Sequence, residues 1–277
     1  MPSSLLYKYC SPGGIRLLKD MRLKLADPRE LNDVHEYKFT MDAEFAYKDF
    51  VRNKHNSSYV IGFRRNLKYL GERFPITSAE TAQRLLELGR EDFMSLFNSF
   101  RASFMDIFHN GLLSQTLILC LSRNKNDPLM WSHYCDSYKG FVVAFDLSKP
   151  PFSNLPRGLP VQYVNGPPKI KYGLSTPPTG SVTFDTIRCK DDCWRYENEE
   201  RYFFDKKTSS TYCGFDESIN MYYLNISNDC IHHIYLGPKS APAISQSIQD
   251  IVGPEKITFM EAVPHAYGLF PRSAIAQ

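Results

Sequence analysis

The chain lacks long hydrophobic runs, one-sided charge, paired cysteines and a glycine-rich nucleotide fingerprint, and each absence excludes something. No stretch approaches the roughly 18 consecutive apolar residues that cross a bilayer, and the opening MPSSLLYKYCSPGG has no apolar signal core. The expectation is a cytoplasmic protein without membrane contact. With 33 basic against 30 acidic side chains the net charge is only +3, so any contact with nucleic acid must come from a local patch. The seven cysteines are odd in number and include no CxxC pair. Cys189 and Cys193 stand close in sequence, but no second pair completes a tetrahedral set, so the thiols read as reduced and metal-free. The absence of GxGxxG removes a Rossmann-type dinucleotide site.

What the chain does have is aromatic residues, 17 Tyr and 19 Phe, which suit a β-rich core and supply rings for stacking. The most informative stretch is residues 117–146. Leu117, Ile118, Leu119 and Leu121 form one short apolar run, and Phe141 to Phe145 form another, both predicted as buried strands. Between them Asp127 and Pro128 have the character of an N-cap and first helical residue. The helix they open carries Met130, Trp131, His133 and Tyr134 until Lys139-Gly140 turns the chain. Trp131 and Tyr134, three apart, share a helix face and serve equally well as core aromatics or as the wall of a site.

Elsewhere, Leu5 to Tyr9 is predicted as a strand, followed by a turn at Ser11 to Gly14 and a helical patch through Met21. The loop Asp27-Pro28 to Asn32-Asp33 is rich in side chains that satisfy local backbone donors, and it is either turn chemistry or a polar ligand loop. Residues 42–113 have helical periodicity, clearest over Thr81 to Leu88 and in the stripe Phe93, Phe97, Phe100, Phe104 and Phe108. They are predicted as a helical insertion within a single α+β domain spanning residues 1–277. Eight prolines between Pro150 and Pro178 leave only loops and an edge strand near Leu159 to Val164. A strand over Glu199 to Phe204 would put Glu199, Arg201 and Phe203 on one face and Glu200, Tyr202 and Phe204 on the other. Burial there requires Glu199 and Arg201 to pair with each other, with other polar groups or with a ligand. The chain closes with a strand at Ile231 to Gly237, a helix at Ala243 to Val252 and a strand at Lys256 to Ala262.

Taken together, Leu6-Tyr7-Lys8-Tyr9, Pro28 with Leu31-Asn32-Asp33 and Glu36, Ser122 before Leu129-Met130-Trp131-Ser132-His133-Tyr134, Gly140-Phe141 with Phe145-Asp146, Trp194 with Tyr196-Glu197-Asn198-Glu199 and Arg201, and Ile234-Tyr235-Leu236-Gly237-Pro238-Lys239 resemble a mostly bacterial family catalogued as a domain of unknown function. Departures are Val34-His35, where the family has Pro and an aromatic, and Glu200, where it has an aromatic. The order of these parts is also similar to the ADP-ribosyltransferase fold. That resemblance implies a mixed or antiparallel split sheet and a reaction that takes NAD as substrate, with no metal. It implies Glu199 as the catalytic carboxylate, aided by His133 and Arg201. Tyr7, Lys8, Tyr9, Asn32, Asp33, Ser122, Trp131 and Tyr134 would line the nucleotide pocket. It further implies a macromolecular target, DNA, RNA or protein, a toxin or phage-defence role, and an antitoxin or regulatory partner. Two other functions fit the residues. One is a non-catalytic module that recognises a nucleotide or a peptide. The other is a metal-dependent nuclease built from His133, Asp33, Asp146 and Glu199.

Overall fold

The computed structural model describes residues 5–67, 86–173, 186–207, 213–263 and 266–272. Residues 81–85 of the predicted periodic stretch, and Pro177 and Pro178, lie outside them. The chain divides into two compact units, the first made of residues 1–31, 115–163 and 192–277, the second of residues 32–114 and 164–191.

The first unit is built on an eight-stranded sheet. In chain order its strands are β1 (Leu5–Cys10), β2 (Thr116–Ser122), β3 (Phe141–Asp146), β4 (Leu159–Pro160), β5 (Glu199–Asp205), β6 (Ile231–Leu236), β7 (Ile257–Val263) and β8 (Ala266–Pro271). Their spatial order is β8-β7-β6-β3-β1-β2-β5-β4, with β6 and β7 parallel and the other pairs antiparallel. Both runs predicted around residues 117–146 are strands here, and the late strand begins at Glu199 as the alternation requires. The unit is α+β with a mixed sheet.

The sheet is nearly divided in its middle. β1 pairs with β3 over six residues and β2 with β5 over seven, whereas β1 and β2 share one registered pair, Tyr7 with Ser122. Lys8 extends across this seam and donates from Nζ to the carbonyl of Cys120 at 3.1 Å.

Period-two alternation gives the sheet two chemically distinct faces. One presents Leu6, Leu119, Leu121, Val143, Phe145, Tyr202, Ile234 and Leu236 to the main core. Two helices cover that face through Leu18, Ile248 and Val252: α1 (Arg16–Asp20) and α3 (Pro242–Val252). The short helix between them in sequence, α2 (Pro128–Tyr134), lies on the other face, where Met130 and Trp131 join Tyr9, Val142, Met260 and Leu269 in a smaller cluster. A three-stranded sheet of Arg22–Lys24, Met221–Asn225 and Cys213–Asp216 adds Leu23 and Leu224 to the main core.

The second unit contains the helices Ala43–Asn53, Ser57–Leu67 and Arg90–Asp106. The phenylalanine stripe is core, as its spacing requires: Phe93, Phe97, Phe100, Phe104 and Phe108 are all buried, Phe93 against Phe50 and Phe100 against Tyr172. The predicted insertion, residues 42–113, falls inside this unit, which also takes in residues 164–191.

Candidate functional site

The site is on the aromatic face of the first unit, and α2 is the element that builds it. Asp127 caps α2 by accepting from the amides of Leu129 (2.9 Å) and Met130 (3.2 Å), and Pro128 occupies the first turn, where it costs no hydrogen bond. Trp131 is completely buried. Its indole Nε1 donates to the carbonyl of Lys125 at 2.8 Å, and its ring meets Tyr9 edge-on at 5.7 Å. Tyr9 is fixed in turn by donating to the carbonyl of Asn124 at 2.9 Å. These bonds leave α2 one orientation, with Tyr134 directed at the start of β5.

The turn that ends α2 is unusual. Asp136, Ser137 and Tyr138 have φ of 48°, 53° and 73°, three successive left-handed residues without a glycine. Such a run costs about 1–2 kcal/mol per residue, which its surroundings must offset. They do so through backbone bonds from Ser137 to Ser132, Tyr138 to Trp131 and Lys239 to Tyr138. Glycines allow the close crossings, since a Cβ on Gly140 would stand 2.0 Å from the carbonyl of Cys10, and one on Gly237 would stand 2.1 Å from that of Tyr138.

The facing wall is the entry to β5. A 3-10 helix, Asp192–Glu197, stops at Asn198, whose φ of 43° suits asparagine better than most residues, and the strand starts at Glu199. Glu197 is buried and accepts from the hydroxyl of Tyr134 at 2.5 Å. Ser122 clips this turn to the end of β2, its Oγ standing 2.6 Å from the carbonyl of Glu197. Glu199 is 6% exposed and Arg201 0%, and they pair through both carboxylate oxygens, Nε to Oε1 at 2.9 Å and the second contact at 3.1 Å. The predicted requirement for a partner is thus met within the strand itself. The amide of Glu199 donates to the hydroxyl of Tyr163 at 2.8 Å. Burial pushes the neighbouring Cys120 thiol up, and the Glu199 charge adds to that. Glu200 faces the opposite side, where Arg123 binds it.

Register sets Tyr7, Ser122 and Glu199 in one row across the seam. Beside that row Tyr7 and Tyr235 lie with ring centroids 6.4 Å apart. The Lys125 ammonium sits over both, 5.9 Å from Tyr7 and 5.5 Å from Tyr235. Burial lowers the pKa of Lys125 and raises those of the two phenols. Half-buried rings under a cation, next to buried carboxylates, suit a ligand that combines a flat ring with an anionic group.

The predicted residues therefore separate into three groups. Tyr7, Lys8, Ser122, Tyr134, Glu199 and Arg201 converge on the seam. Trp131 and Tyr9 support it from inside the packing, with their rings buried, and His133 is exposed above it. Asn32 and Asp33 belong to the second unit, where Asp33 caps the amide of His35 at 2.9 Å. Lys125, Tyr235 and Tyr163 are not among the predicted site residues, although Lys125 lies three residues past the end of the strand at Ser122. Among the described residues no three His, Cys, Asp or Glu side chains form a group able to hold a metal ion, so the convergence required by the nuclease reading has no counterpart there. No helix among them is long and apolar enough to cross a membrane. The second unit carries its own polar cleft of about 480 Å³, lined in part by Asp49, Asn53, Asn56 and Lys171.

The chain matches no protein-family model, no curated protein and no solved structure.

Proposed function

We propose that the first unit transfers ADP-ribose from NAD to a macromolecular target. One observation carries this reading: two buried carboxylates, Glu197 and Glu199, stand at a seam in the sheet beside a cation-capped pair of tyrosines. NAD supplies an activated glycosidic bond. In the transfer, the bond between nicotinamide nitrogen and ribose carbon breaks with its electron pair leaving on nicotinamide. A target oxygen or nitrogen then bonds to that carbon and loses its proton.

Each residue has a part in this scheme. Glu199, held in one orientation by its two bonds to Arg201, puts negative charge where the ribose becomes electron-poor, and a site shielded from water strengthens that attraction. Arg201 touches no substrate and is a positioning residue. Glu197, oriented by Tyr134, receives the proton of the target group. Tyr7 and Tyr235, whose planes are 60° apart, offer one face and one edge to the flat ring, and Lys125 binds the phosphates.

The test is nicotinamide release from NAD by wild type and Glu199→Gln, with and without added RNA, DNA or cell lysate. The glutamine variant keeps the size but puts an amide donor where Arg201 needs a second acceptor, so the folded fraction is read by circular dichroism and release per folded molecule should fall by about 100-fold or more. Release unaffected by the substitution would refute the assignment. A second reading is favoured by the engagement of both Glu199 oxygens by Arg201: a module that binds a nucleotide or peptide without chemistry. It is identified by saturable ligand binding that Lys125→Ala weakens, together with no release under any condition.

A further inference from the structure

Three rings lie next to the carboxylates and have no role in the scheme above. His133 stacks on Tyr196 with centroids 6.3 Å apart and planes 30° apart, and Tyr196 meets Trp194 in a tilted contact at 6.0 Å and 37°. His133 is exposed, and Tyr196 and Trp194 are half-buried, so the ladder presents ring surface to solvent. Arg195 separates the last two in sequence, and its side chain is 65% exposed. Its guanidinium is paired with Asp192 on the same turn and lies over Tyr163, 5.6 Å from the ring centroid, and the hydroxyl of Tyr163 accepts from the Glu199 amide. Tyr196 immediately precedes Glu197, and His133 immediately precedes the Tyr134 that binds it. The ladder thus leads directly to the reacting carboxylates.

Rings in series with a cation beside them match the chemistry of unpaired bases. Every base has a π-face to stack and every linkage a phosphate to attract a guanidinium, and a duplex hides those faces. A net charge of +3 supplies no general attraction to a duplex, so affinity here would come from stacking. We infer that His133, Tyr196 and Trp194, with Arg195, form a platform for a single-stranded nucleic acid. On the transfer reading, which this second step rests on, that strand is the acceptor and its bases are delivered to Glu197.

The two tryptophans make the test direct. Trp131 is sealed in the core and Trp194 is in the ladder, so quenching of tryptophan emission by an added strand reports on Trp194. The whole protein is titrated with a twelve-nucleotide oligothymidine, an oligouridine of equal length and a duplex of equal length. Saturable quenching by a single strand but not by the duplex is expected, and the two single strands distinguish DNA from RNA. Trp194→Phe should abolish the signal. His133→Ala, at an exposed position where substitution costs little stability, should weaken binding by roughly ten-fold. Equal binding of the duplex, or no quenching by either strand, overturns the platform, as does full affinity in both His133→Ala and Tyr196→Ala. Quenching without nicotinamide release would remove the transferase reading and leave the platform standing. Release without quenching would do the reverse.

Discussion

Strand β5 is buried on both sides, but the two sides are buried by different chemistry. Toward the main core, Tyr202 joins Leu119, Leu121 and Phe145 in an apolar cluster, and the carboxylate of Glu200 at the start of that side is bound by the partly exposed Arg123. Toward α2, the same strand buries Glu199 and Arg201 against each other. Apolar burial stabilises a fold by about 25 cal/mol per Å² without regard to direction, whereas a buried ion pair at best roughly balances its desolvation and is worth keeping for what its geometry does. The core face holds the unit together. The other face spends stability on a fixed carboxylate.

This contrast can be broken by substitution. Arg201→Leu leaves Glu199 buried without its guanidinium and should cost about 3–5 kcal/mol, read from urea unfolding. Adding Glu199→Leu should restore most of that, and a double variant as unstable as the single one would show that the pair is not the reason. Leu119→Ala on the core face should cost about 2–5 kcal/mol while leaving nicotinamide release per folded molecule unchanged. Reduced release at equal folded fraction would show that the faces are not independent. Tyr134→Phe removes one bond to a buried carboxylate, worth about 1.5–3 kcal/mol, and should lower release more than it lowers stability.

The far end of β5 offers a milder control. Burial tends to raise the pKa of Asp27, but its bonds to Arg29 and Lys206 outweigh this and hold it below the usual carboxylate range. A depressed folded pKa contributes stability that is fully present above the unfolded value, near 4, and is lost as pH falls through the folded one. Asp27→Asn should therefore cost about 1–2 kcal/mol at neutral pH and nothing in strong acid, measured as midpoint shifts in unfolding at several pH values. A shift that does not vary with pH would assign the effect to packing.

Much of this was readable in advance, because period and capping are local properties. Asp127-Pro128 announced α2, alternation placed Glu199 and Arg201 on one face, and helical spacing marked the phenylalanine core. What could not be read depends on register between distant strands. The seam at Tyr7 and Ser122, the meeting of Lys125 with Tyr235, and the bond from Glu199 to Tyr163 join residues 36 to 115 apart in the chain. The hairpin of Cys213–Asp216 and Met221–Asn225 went unpredicted because its connection lacks an Asn-Gly or Asp-Gly turn. The left-handed run after α2 was hidden for a related reason: two of its three residues, Ser137 and Tyr138, rarely adopt that conformation unless tertiary bonds impose it.

The three-part make-up of the first unit also has a consequence during synthesis. Strand β1 leaves the ribosome first, yet β3, with which it shares six registered residues, begins at residue 141, and the strand carrying Glu199 comes later still. Residues 32–114, which supply most of the second unit, emerge in between. At roughly 5–20 residues per second, the stretch between the end of β1 and the start of β3 takes on the order of ten seconds to make. Any chemistry at the seam therefore waits for the strands Glu199–Asp205 and Ile231–Leu236 to be made.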